Sequence, residues 1–491
     1  MSNVQNENAV KIYVPQELGE QLQTFLNNSD EENYSEKFTF VPMSYDELKA
    51  KFNLSVTTDN CRDIFLIDDD LIAKAARDPQ NKLIALDELG YTEEEIGNIF
   101  NSEKLMQITT QDGRICGVPF DKGVAAYYYD REVFNDIGVN SDALTNVTWQ
   151  DLKTCYERIM QRASSSDIGM VQPLDYTLLQ ILLRQTGSVL YDSAGNITGE
   201  GVGKVASLIK ELSDHGVIKQ SNEPYSDIQT LVSEGRVVGV IGLPYIAQEI
   251  MQAYTDADQV REWCVTKLPV SEDLAYGVQW GGRSFALMDG LTEDEKTSFV
   301  SMFNSVIVAN FVEFAYGNFV VPAVNDLDFD GTYGNEVFSQ DVIAFLYYDD
   351  SETADICYGD AVEDEAGFFT EVIEIVKDYV NGDISIEQLA QNFIGLASDK
   401  APGADCSLGN YDNYGGLGSS TLGNSSGSDS GEESGDSGDS GEQGGSSGSS
   451  GDSGESGGSS GVDSGGSTGS GEPTEVPDAG DAQIYTLGGI S

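Results

Sequence analysis

The chain has 491 residues, which suggests two or more domains, and it carries 83 Asp and Glu residues against 26 Lys and Arg residues. Fifteen of the acidic residues and none of the basic ones lie in 401–491, so residues 1–400 are strongly acidic in their own right. Such a field repels nucleic acids and anionic membrane surfaces, and we expect neither as a partner.

Strand and helix patterns alternate through the first 70 residues. Residues 10–15, 38–41 and 64–67 have the composition of strands, and 17–26 and 45–52 carry apolar residues at helical spacing. This alternation favours a parallel α/β sheet, in which ligands bind beyond the carboxyl ends of the strands. The loops at 15–17 and 68–70 are therefore candidate site loops, although for the Asp triplet we favour the simpler explanation of a helix N-cap with solvated neighbours.

Residues 113–138 contain two strands and a helix in close succession. A short apolar strand at 115–118 is followed by an aromatic and β-branched strand at 124–129. Asp130 is a suitable N-cap for the helix behind it, and Gly138 is a suitable residue for the end of that helix.

This stretch resembles the segment that crosses from one lobe to the other in the family 1 extracellular solute-binding proteins. The residues that carry the resemblance are Gly117, Pro119, Gly123, Tyr128, Tyr129, Asp130, Arg131, Phe134 and Gly138. Each motif of this kind is weak alone, but several follow in the family's order over residues 10–396.

The second half of the sequence continues the alternation. Helices are predicted at 149–162, with Thr148 as the N-cap, and at 174–186, 294–307 and 368–380. Residues 202–212 carry a helical apolar stripe that Gly216 ends. The apolar run 237–241 predicts a strand buried on both faces.

Further motifs of the second half resemble the same family. TWQDL at 148–152, the turn GLPY at 242–245, WGGRSFAL at 280–287 and DISIEQLAQNF at 383–393 occur in the family's order. Tyr245 stands where the family often has a sugar-stacking Trp.

The resemblance implies a two-lobed, hinge-connected α/β fold of the type II periplasmic-binding-protein kind over residues 1–400. The first lobe is expected at about 1–121 and 277–325, and the second at about 126–270 and 340–396. The chain is expected to cross between them near 121–126, 270–277 and 325–340.

The same resemblance implies an extracytoplasmic protein that captures a small solute, with a sugar or oligosaccharide favoured, in a cleft between the lobes. The solute would pass to the permease of an ABC importer in the membrane. We expect an extracellular monomer, anchored to the membrane at the cell surface, with no cofactor. A cell-surface adhesin or an exported carbohydrate-active enzyme built from similar units is the alternative.

A sugar site needs flat aromatic rings for the C–H faces of the ligand and charged or amide groups for its hydroxyls. Aromatic and charged residues with these properties lie at predicted strand ends and crossings. The predicted ligand-binding residues are Glu17, Asp70, Phe120, Asp121, Lys122, Tyr245, Trp280, Gly282 and Arg283.

The sequence offers little for catalysis or metal binding. Because His215 is the only histidine, a multi-His metal site is excluded, and we predict no catalytic residue and no metal. The tyrosines at 127–129 cannot all face one ligand, since alternate residues of a strand point to opposite faces. The six cysteines form no CxxC pair, and their disulfide state stays open.

The sequence contains no recognisable export signal and no long apolar run. The first ten residues have neither a basic nor an apolar segment, so either the protein is cytosolic or the sequence begins after an export signal. No run approaches 18 apolar residues, so we predict no membrane-spanning helix.

Residues 401–471 consist mainly of Gly, Ser, Asp and Glu, and predict a disordered, self-repelling linker. The strand-like segment 482–487 in 472–491 is explained by chance, by a strand tethered to the edge of residues 1–400, or by the start of a second module. We expect deletion of 401–491 to leave the melting temperature of residues 1–400 unchanged.

Overall fold

The computed structural model describes residues 8–420 except 30–32, 111, 140–143, 145, 163–168, 189, 191–195, 222–227, 256–259, 332, 355–364, 403, 408 and 410–413. The predicted linker from 421 onward and the strand-like segment 482–487 lie outside the described residues, as does Cys357. The folded unit discussed below lies within Met1–Ser425.

The described residues form two sheets and two short ribbons, flanked by helices. The strands are β1 Val10–Pro15, β2 Phe38–Met43, β3 Ile64–Asp68, β4 Val118–Pro119, β5 Asp121–Lys122, β6 Ala126–Asp130, β7 Gly169–Pro173, β8 Ile197–Thr198, β9 Ile218–Ser221, β10 Val237–Gly242, β11 Trp263–Thr266, β12 Arg283–Leu287, β13 Val321–Pro322 and β14 Cys406–Ser407. The helices are α1 Gln16–Asn28, α2 Tyr34–Lys37, α3 Tyr45–Ser55, α4 Asp69–Ala76, α5 Glu93–Ile99, α6 Ser102–Gln107, α7 Arg131–Asp136, α8 Trp149–Arg162, α9 Tyr176–Gln185, α10 Glu200–Asp214, α11 Ile228–Ser233, α12 Tyr245–Gln252, α13 Glu293–Met302, α14 Phe311–Asn318, α15 Val342–Tyr347, α16 Glu365–Val380 and α17 Ile386–Lys400.

The first lobe is built on the sheet β2-β1-β3-β12-β4. The strand β1 lies parallel to both β2 and β3, as the alternating sequence predicts, whereas β12 is antiparallel to β3. Alternate residues of these strands pack into two different cores, one on each face of the sheet. Ile64 and Leu66 lie in one core, and Phe65 and Ile67 lie in the other.

The second lobe is built on the sheet β11-β6-β10-β7-β9. All six residues of β10 are buried, which confirms the prediction of a strand covered on both faces. In β6 the rings of Tyr127 and Tyr129 stack with their centroids 5.7 Å apart, and the Tyr127 hydroxyl lies 2.9 Å from that of Tyr156. Tyr128 instead donates to the Leu243 carbonyl at 3.4 Å, so the three tyrosines do not converge on one point.

The helix boundaries agree closely with the sequence signals. The Asp130 carboxylate accepts from the Val133 amide at the start of α7, and Gly138 follows that helix at a φ of +78°. The helix α8 begins and ends where it was predicted, and Thr148 accepts from the Asp151 amide at 3.1 Å. Gly216 follows α10 at a φ of +69°.

The lobes are joined by crossing strands that contact each other backbone to backbone. The Trp280 amide donates to the Gly123 carbonyl at 2.9 Å, and the Ala125 amide donates to the Val278 carbonyl at 2.9 Å. A Cβ on Gly123 would lie 2.0 Å from the Trp280 carbonyl oxygen, so only glycine fits there. The ribbon of β5 and β13 extends this crossing.

The second crossing lies later in the chain than we predicted. Val278 and Trp280 still belong to the core of the second lobe, and Arg283 begins β12 of the first sheet. The chain therefore turns between the lobes at Gly281 and Gly282, both with positive φ, rather than at 270–277.

One helical stretch among the described residues, Glu293–Asn318, has the length and composition to cross a membrane. It comprises α13, a π-turn, a 3₁₀ turn and α14. Its Phe299, Phe303, Phe311 and Phe314 are buried in the core of the first lobe. One face of the stretch therefore packs in the core, and 44% of its most apolar window is buried.

Part of the predicted linker is packed on the second lobe. We call residues 404–407 and 414–420 the C-terminal strap. The strand β14 pairs in parallel with β8, and Leu417 is only 3% exposed, in the core of the second lobe. The Gln150 amide donates to the Leu417 carbonyl at 3.1 Å. The predicted linker boundary at 401 is therefore too early, because a few apolar residues within the Gly-rich sequence suffice to hold the strap.

The strap also changes the expectation for truncation. The Ile197 and Gly199 amides donate to the Asp405 and Ser407 carbonyls, each at 2.9 Å, so removing the strap leaves these donors without their partners. Deletion of 401–491 is now expected to lower the melting temperature, contrary to the expectation from sequence.

A point variant isolates the contribution of the strap. We expect Leu417→Ala to lower the free energy of unfolding by about 2–4 kcal/mol, because it leaves a cavity against the core of the second lobe. Leu54→Ala, at a position 69% exposed, is the matched control and should change it by less than about 0.5 kcal/mol. Urea unfolding of the full chain measures both, and equal effects would mean that the strap does not stabilise the fold.

Candidate ligand-binding cleft

A cavity of about 310 Å³ lies between the lobes and is floored by the crossing strands. It brings together six of the nine predicted residues. These are Glu17, Asp121, Lys122, Tyr245, Gly282 and Arg283, and the wall also includes Asp68, Gln248, Asn318 and Phe319. We refer to this cavity as the cleft.

The first-lobe wall of the cleft comes from the carboxyl ends of parallel strands. The strand β1 ends at Pro15, which places Glu17 in the first turn of α1, and β3 ends at Asp68. Tyr45 begins α3 just after β2, is 49% exposed, and donates its hydroxyl to Asp68 at 2.7 Å. Burial raises the pKa of Asp68, and the Tyr45 hydrogen bond and the charge of Arg283 oppose that rise.

The second-lobe wall is built in the same way. The strand β10 ends at Gly242, and Pro244 precedes Tyr245, the first residue of α12. Gln248 lies almost one helical turn later and also lines the cleft. The Tyr245 side chain is half-buried, and burial together with the charge of Asp175 raises the pKa of its phenol well above the ordinary value. This tyrosine is therefore neutral at any physiological pH.

An ion pair between Asp121 and Arg283 forms the floor of the cleft. The Asp121 carboxylate accepts from the Arg283 backbone amide at 2.6 Å and from its Nε at 2.9 Å, and it also contacts Nη2. Glu17 lies on the open side, 3.7 Å from Arg283 Nη1 and 60% exposed. Gly282 is required here because a Cβ at its φ of +92° would lie 2.3 Å from the Asp121 carbonyl oxygen. The floor is therefore fixed by both charge and backbone.

Lys122 also lines the cleft, but its ammonium group points away from Asp121. Alternate residues of a strand point to opposite faces. Nζ donates to the Tyr347 carbonyl at 3.4 Å and lies 5.6 Å from the centre of the Tyr347 ring. The side chain is nearly buried, and this burial lowers the pKa of Lys122 to about 8.

Phe120 does not line the cleft, which corrects our prediction. Its ring is fully buried in the core of the first lobe, with its centroid 4.8 Å from that of Phe311. The residue lies next to Asp121 on the same strand segment and therefore points to the opposite side. It holds the crossing strand against α14 and offers no ring face to a ligand in this structure.

Trp280 and Asp70 lie beside the cleft cavity rather than in its wall. Trp280 is only 6% exposed, and the Arg184 guanidinium covers its ring, 4.8 Å from the ring centre. Arg184 belongs to the second lobe, and its charge acts on Asp70 of the first. Burial raises the pKa of Asp70, and the charge of Arg184 opposes that rise.

Sequence reasoning missed Tyr45, Asp68, Arg184 and Gln248. A signal existed for Tyr45, because it follows a predicted strand just as Glu17 follows β1. Asp68 was included only as part of a candidate loop. Nothing in the sequence points to Arg184, whose role depends on where α9 packs relative to Trp280.

The chemistry of the cleft suits an uncharged polar ligand. Carboxylates of Glu17, Asp68 and Asp121 face a single guanidinium, so the floor accepts hydroxyl hydrogens and repels anions. Among the described residues, no group of three or more His, Cys, Asp or Glu side chains could hold a metal ion.

The five described cysteines are free thiols: Cys61, Cys116, Cys155, Cys264 and Cys406. Burial raises the pKa of Cys116 to about 11 and that of Cys155 to about 12. These two thiols are therefore unreactive packing residues.

Comparison with known families gives one match that covers more than half of the chain. The model of the bacterial extracellular solute-binding proteins matches residues 28–306. A lactose-binding protein of Rhizobium radiobacter is 24% identical over 202 residues, 40% of this chain and 47% of that protein. An arabinooligosaccharide-binding protein of Halalkalibacterium halodurans is 26% identical over 96 residues, 20% of this chain and 21% of that protein. The chain thus spans less than half the length of these curated relatives.

Solved structures confirm the two-lobed fold. The GacH receptor of Streptomyces glaucescens, solved unliganded and with acarbose, superposes with a TM-score of 0.60 at 17% identity, over 81% of this chain and 99% of that one. The sugar-binding protein MalE of Xanthomonas citri gives 0.64 at 13% identity, over 80% and 96%. The lacto-N-biose-binding protein of Bifidobacterium longum gives 0.60 at 13% identity, over 82% and 99%.

The lowered pKa of Lys122 predicts a pH-dependent stability. Between its folded pKa of about 8 and the ordinary value of about 10.4, the unfolded chain binds the proton and the folded protein does not. Stability relative to Lys122→Met should therefore rise with pH through this window. At pH 7 the variant should be more stable than the wild type by about 1–3 kcal/mol, because the buried charge is gone.

Urea unfolding at pH 7, 9 and 10 measures this difference. Lys210→Met is the matched control, since Lys210 lies on the surface of α10 beside Asp214 and should show no such trend. A difference between wild type and Lys122→Met that stays constant across these pH values would contradict the burial of this charge.

Proposed function

The chain belongs to the bacterial extracellular solute-binding proteins, and from this premise we propose that it captures a saccharide in the cleft for an ABC importer. The observation that carries the proposal is the composition of the cleft. The Tyr245 ring of the second lobe and the first-lobe residues Glu17 and Asp68 line the cleft, and the Asp121–Arg283 pair forms its floor at the crossing. This arrangement matches the apolar faces and hydroxyl edges of a sugar ring.

Each part of the cleft has a distinct role in this proposal. Tyr245, whose backbone position is fixed by Pro244 and α12, packs against a C–H face of the sugar. Asp121 and Glu17 accept hydrogen bonds from hydroxyls, and Arg283 donates to ring or hydroxyl oxygens. Because Asp121 is already held by Arg283, little side-chain freedom is lost when the ligand binds.

The names of related proteins support the saccharide class. The two curated relatives are named for lactose and arabino-oligosaccharides, and the solved structures include complexes with acarbose and lacto-N-biose. All of these are oligosaccharides or analogues of them. The acidic floor of the cleft is consistent with a neutral saccharide as the ligand, because it disfavours the binding of anionic solutes and not of neutral sugars.

We further propose that the ligand is bound and released unchanged. The relatives and structural neighbours named above are described as binding proteins and receptors. The family is extracellular, and we place this chain outside the cytoplasmic membrane, anchored at the cell surface as a monomer. Its partner there is the permease of the importer. Product analysis after long incubation with the bound saccharide tests this, because an enzyme would leave altered sugar.

Calorimetric titration of the full chain with lactose, arabinotriose and maltotriose tests the binding proposal. We expect at least one of them to bind, and Tyr245→Ala to weaken that binding about tenfold or more by removing a ring face. Asp121→Asn should weaken it as well, because the amide is a poorer acceptor than the carboxylate.

Tyr333→Ala is the matched control, since Tyr333 is 47% exposed and packs on Tyr316 rather than in the cleft. It should leave the affinity unchanged. Binding of a saccharide with the same affinity in wild type, Tyr245→Ala and Asp121→Asn would place the site elsewhere.

A further inference from the structure

A second and larger cavity, of about 760 Å³, lies on the other face of the crossing strand β5. Asp121 points to the cleft, and the neighbouring Lys122 points toward Tyr347 in the wall of this second cavity. Because consecutive residues of a strand point to opposite faces, the strand separates the two cavities. We refer to this space as the rear cavity.

One wall of the rear cavity is held by a network around Asn325. The Asn325 side chain donates to the carbonyls of Asn98 and Phe100 at 3.2 and 2.9 Å. Its backbone amide donates to the Ile99 carbonyl at 2.7 Å. These bonds fix the segment after β13 against the end of α5. The wall is therefore formed before any ligand arrives.

The wall of the rear cavity also presents an exposed aromatic ring in a fixed position. Tyr348 is 54% exposed. Its hydroxyl accepts from the Phe329 amide at 3.1 Å and donates to the Leu327 carbonyl at 3.3 Å. The hydroxyl is thus engaged within the protein, and the ring is the part that remains for a partner. A ring already held in place costs little conformational entropy when a ligand packs on it.

Carboxylates line the same cavity as this ring. Asp326, Asp328 and Asp349 line the cavity, and Asp326 has a left-handed backbone with a φ of +59°. Within the described part of the chain, Asp349 is paired with Lys267 at 3.5 Å, whereas no ion pair engages Asp326 or Asp328. The same region holds no cluster suited to a metal ion, so these carboxylates do not converge on a cation.

We propose that the rear cavity is a second saccharide site, which takes a neutral mono- or disaccharide against the Tyr348 ring. The carboxylates of Asp326 and Asp328 accept from the sugar hydroxyls, and the amide-rich wall at Asn98 completes the rim. The excess of carboxylates over the single ammonium of Lys122 disfavours anionic sugars. This inference does not depend on the proposed function of the cleft, because the two cavities use different rings and different carboxylates.

Saturation-transfer NMR on the full chain tests the proposal with glucose, galactose, arabinose and lactose at up to about 50 mM, and with glucuronate as the anionic probe. We expect at least one neutral sugar to bind the double variant Tyr245→Ala/Asp121→Asn, in which the ring and the carboxylate of the cleft are both missing. That signal should weaken about tenfold in Tyr348→Ala and should persist in Tyr348→Phe, which keeps the ring. Glucuronate should give no signal from this site.

Two further variants keep the outcome interpretable. Tyr333→Ala removes another exposed tyrosine that does not line the rear cavity, and it should change nothing. Asp328→Asn should weaken the same signal even if Tyr348→Ala fails to fold. The proposal is overturned if no sugar of this set binds Tyr245→Ala/Asp121→Asn, or if its binding to that double variant is insensitive to both Tyr348→Ala and Asp328→Asn. Loss of saccharide binding in the cleft alone would not contradict a saccharide site in the rear cavity.

Discussion

The structure depends on two strands that pass each other too closely for a side chain. A Cβ at Gly123 would meet the Trp280 carbonyl, and a Cβ at Gly282 would meet the Asp121 carbonyl. This contact joins the lobes through backbone hydrogen bonds instead of a packed core. It also aims consecutive side chains of β5 in opposite directions, so that Asp121 faces one cavity and Lys122 the other. The positions of both candidate sites follow from this crossing.

The charges at the crossing are arranged in an order that suits neutral ligands. Asp121 is nearly buried and would be costly there without Arg283, which donates to it through both backbone and side chain. Glu17 stays on the exposed side, free to exchange its weak contact with Arg283 for a ligand hydroxyl. In this strongly acidic protein, the Arg283 guanidinium thus lies where a polar solute would enter, beside the hydrogen-bond acceptors Asp121 and Glu17.

Local signals in the sequence predicted the fold well, since strands, caps and helix ends depend on neighbouring residues. The caps at Asp130 and Thr148 and the buried run of β10 are examples. The site was predicted less completely because it depends on strand direction and on distant packing. Phe120 points into the core while Asp121 faces the cleft, and one residue of register decides between them. Arg184 covers the Trp280 ring, and Leu417 holds the strap in the core of the second lobe. Both are contacts between residues far apart in the chain, and the neighbouring sequence gives no signal for them.

The central proposal is that a saccharide binds in the cleft between the two lobes. A ligand that contacts both lobes should draw them together about the crossing strands. Spin labels carried on non-natural amino acids at Glu47 of α3 and Thr255, just beyond α12, would report the distance across the cleft, since both positions are exposed. The distance distribution is measured without ligand and with the saccharide identified by calorimetry at saturation. The account predicts a shorter and narrower distribution with the saccharide, and no shift with a sugar that does not bind. An unchanged distribution at saturation would contradict it.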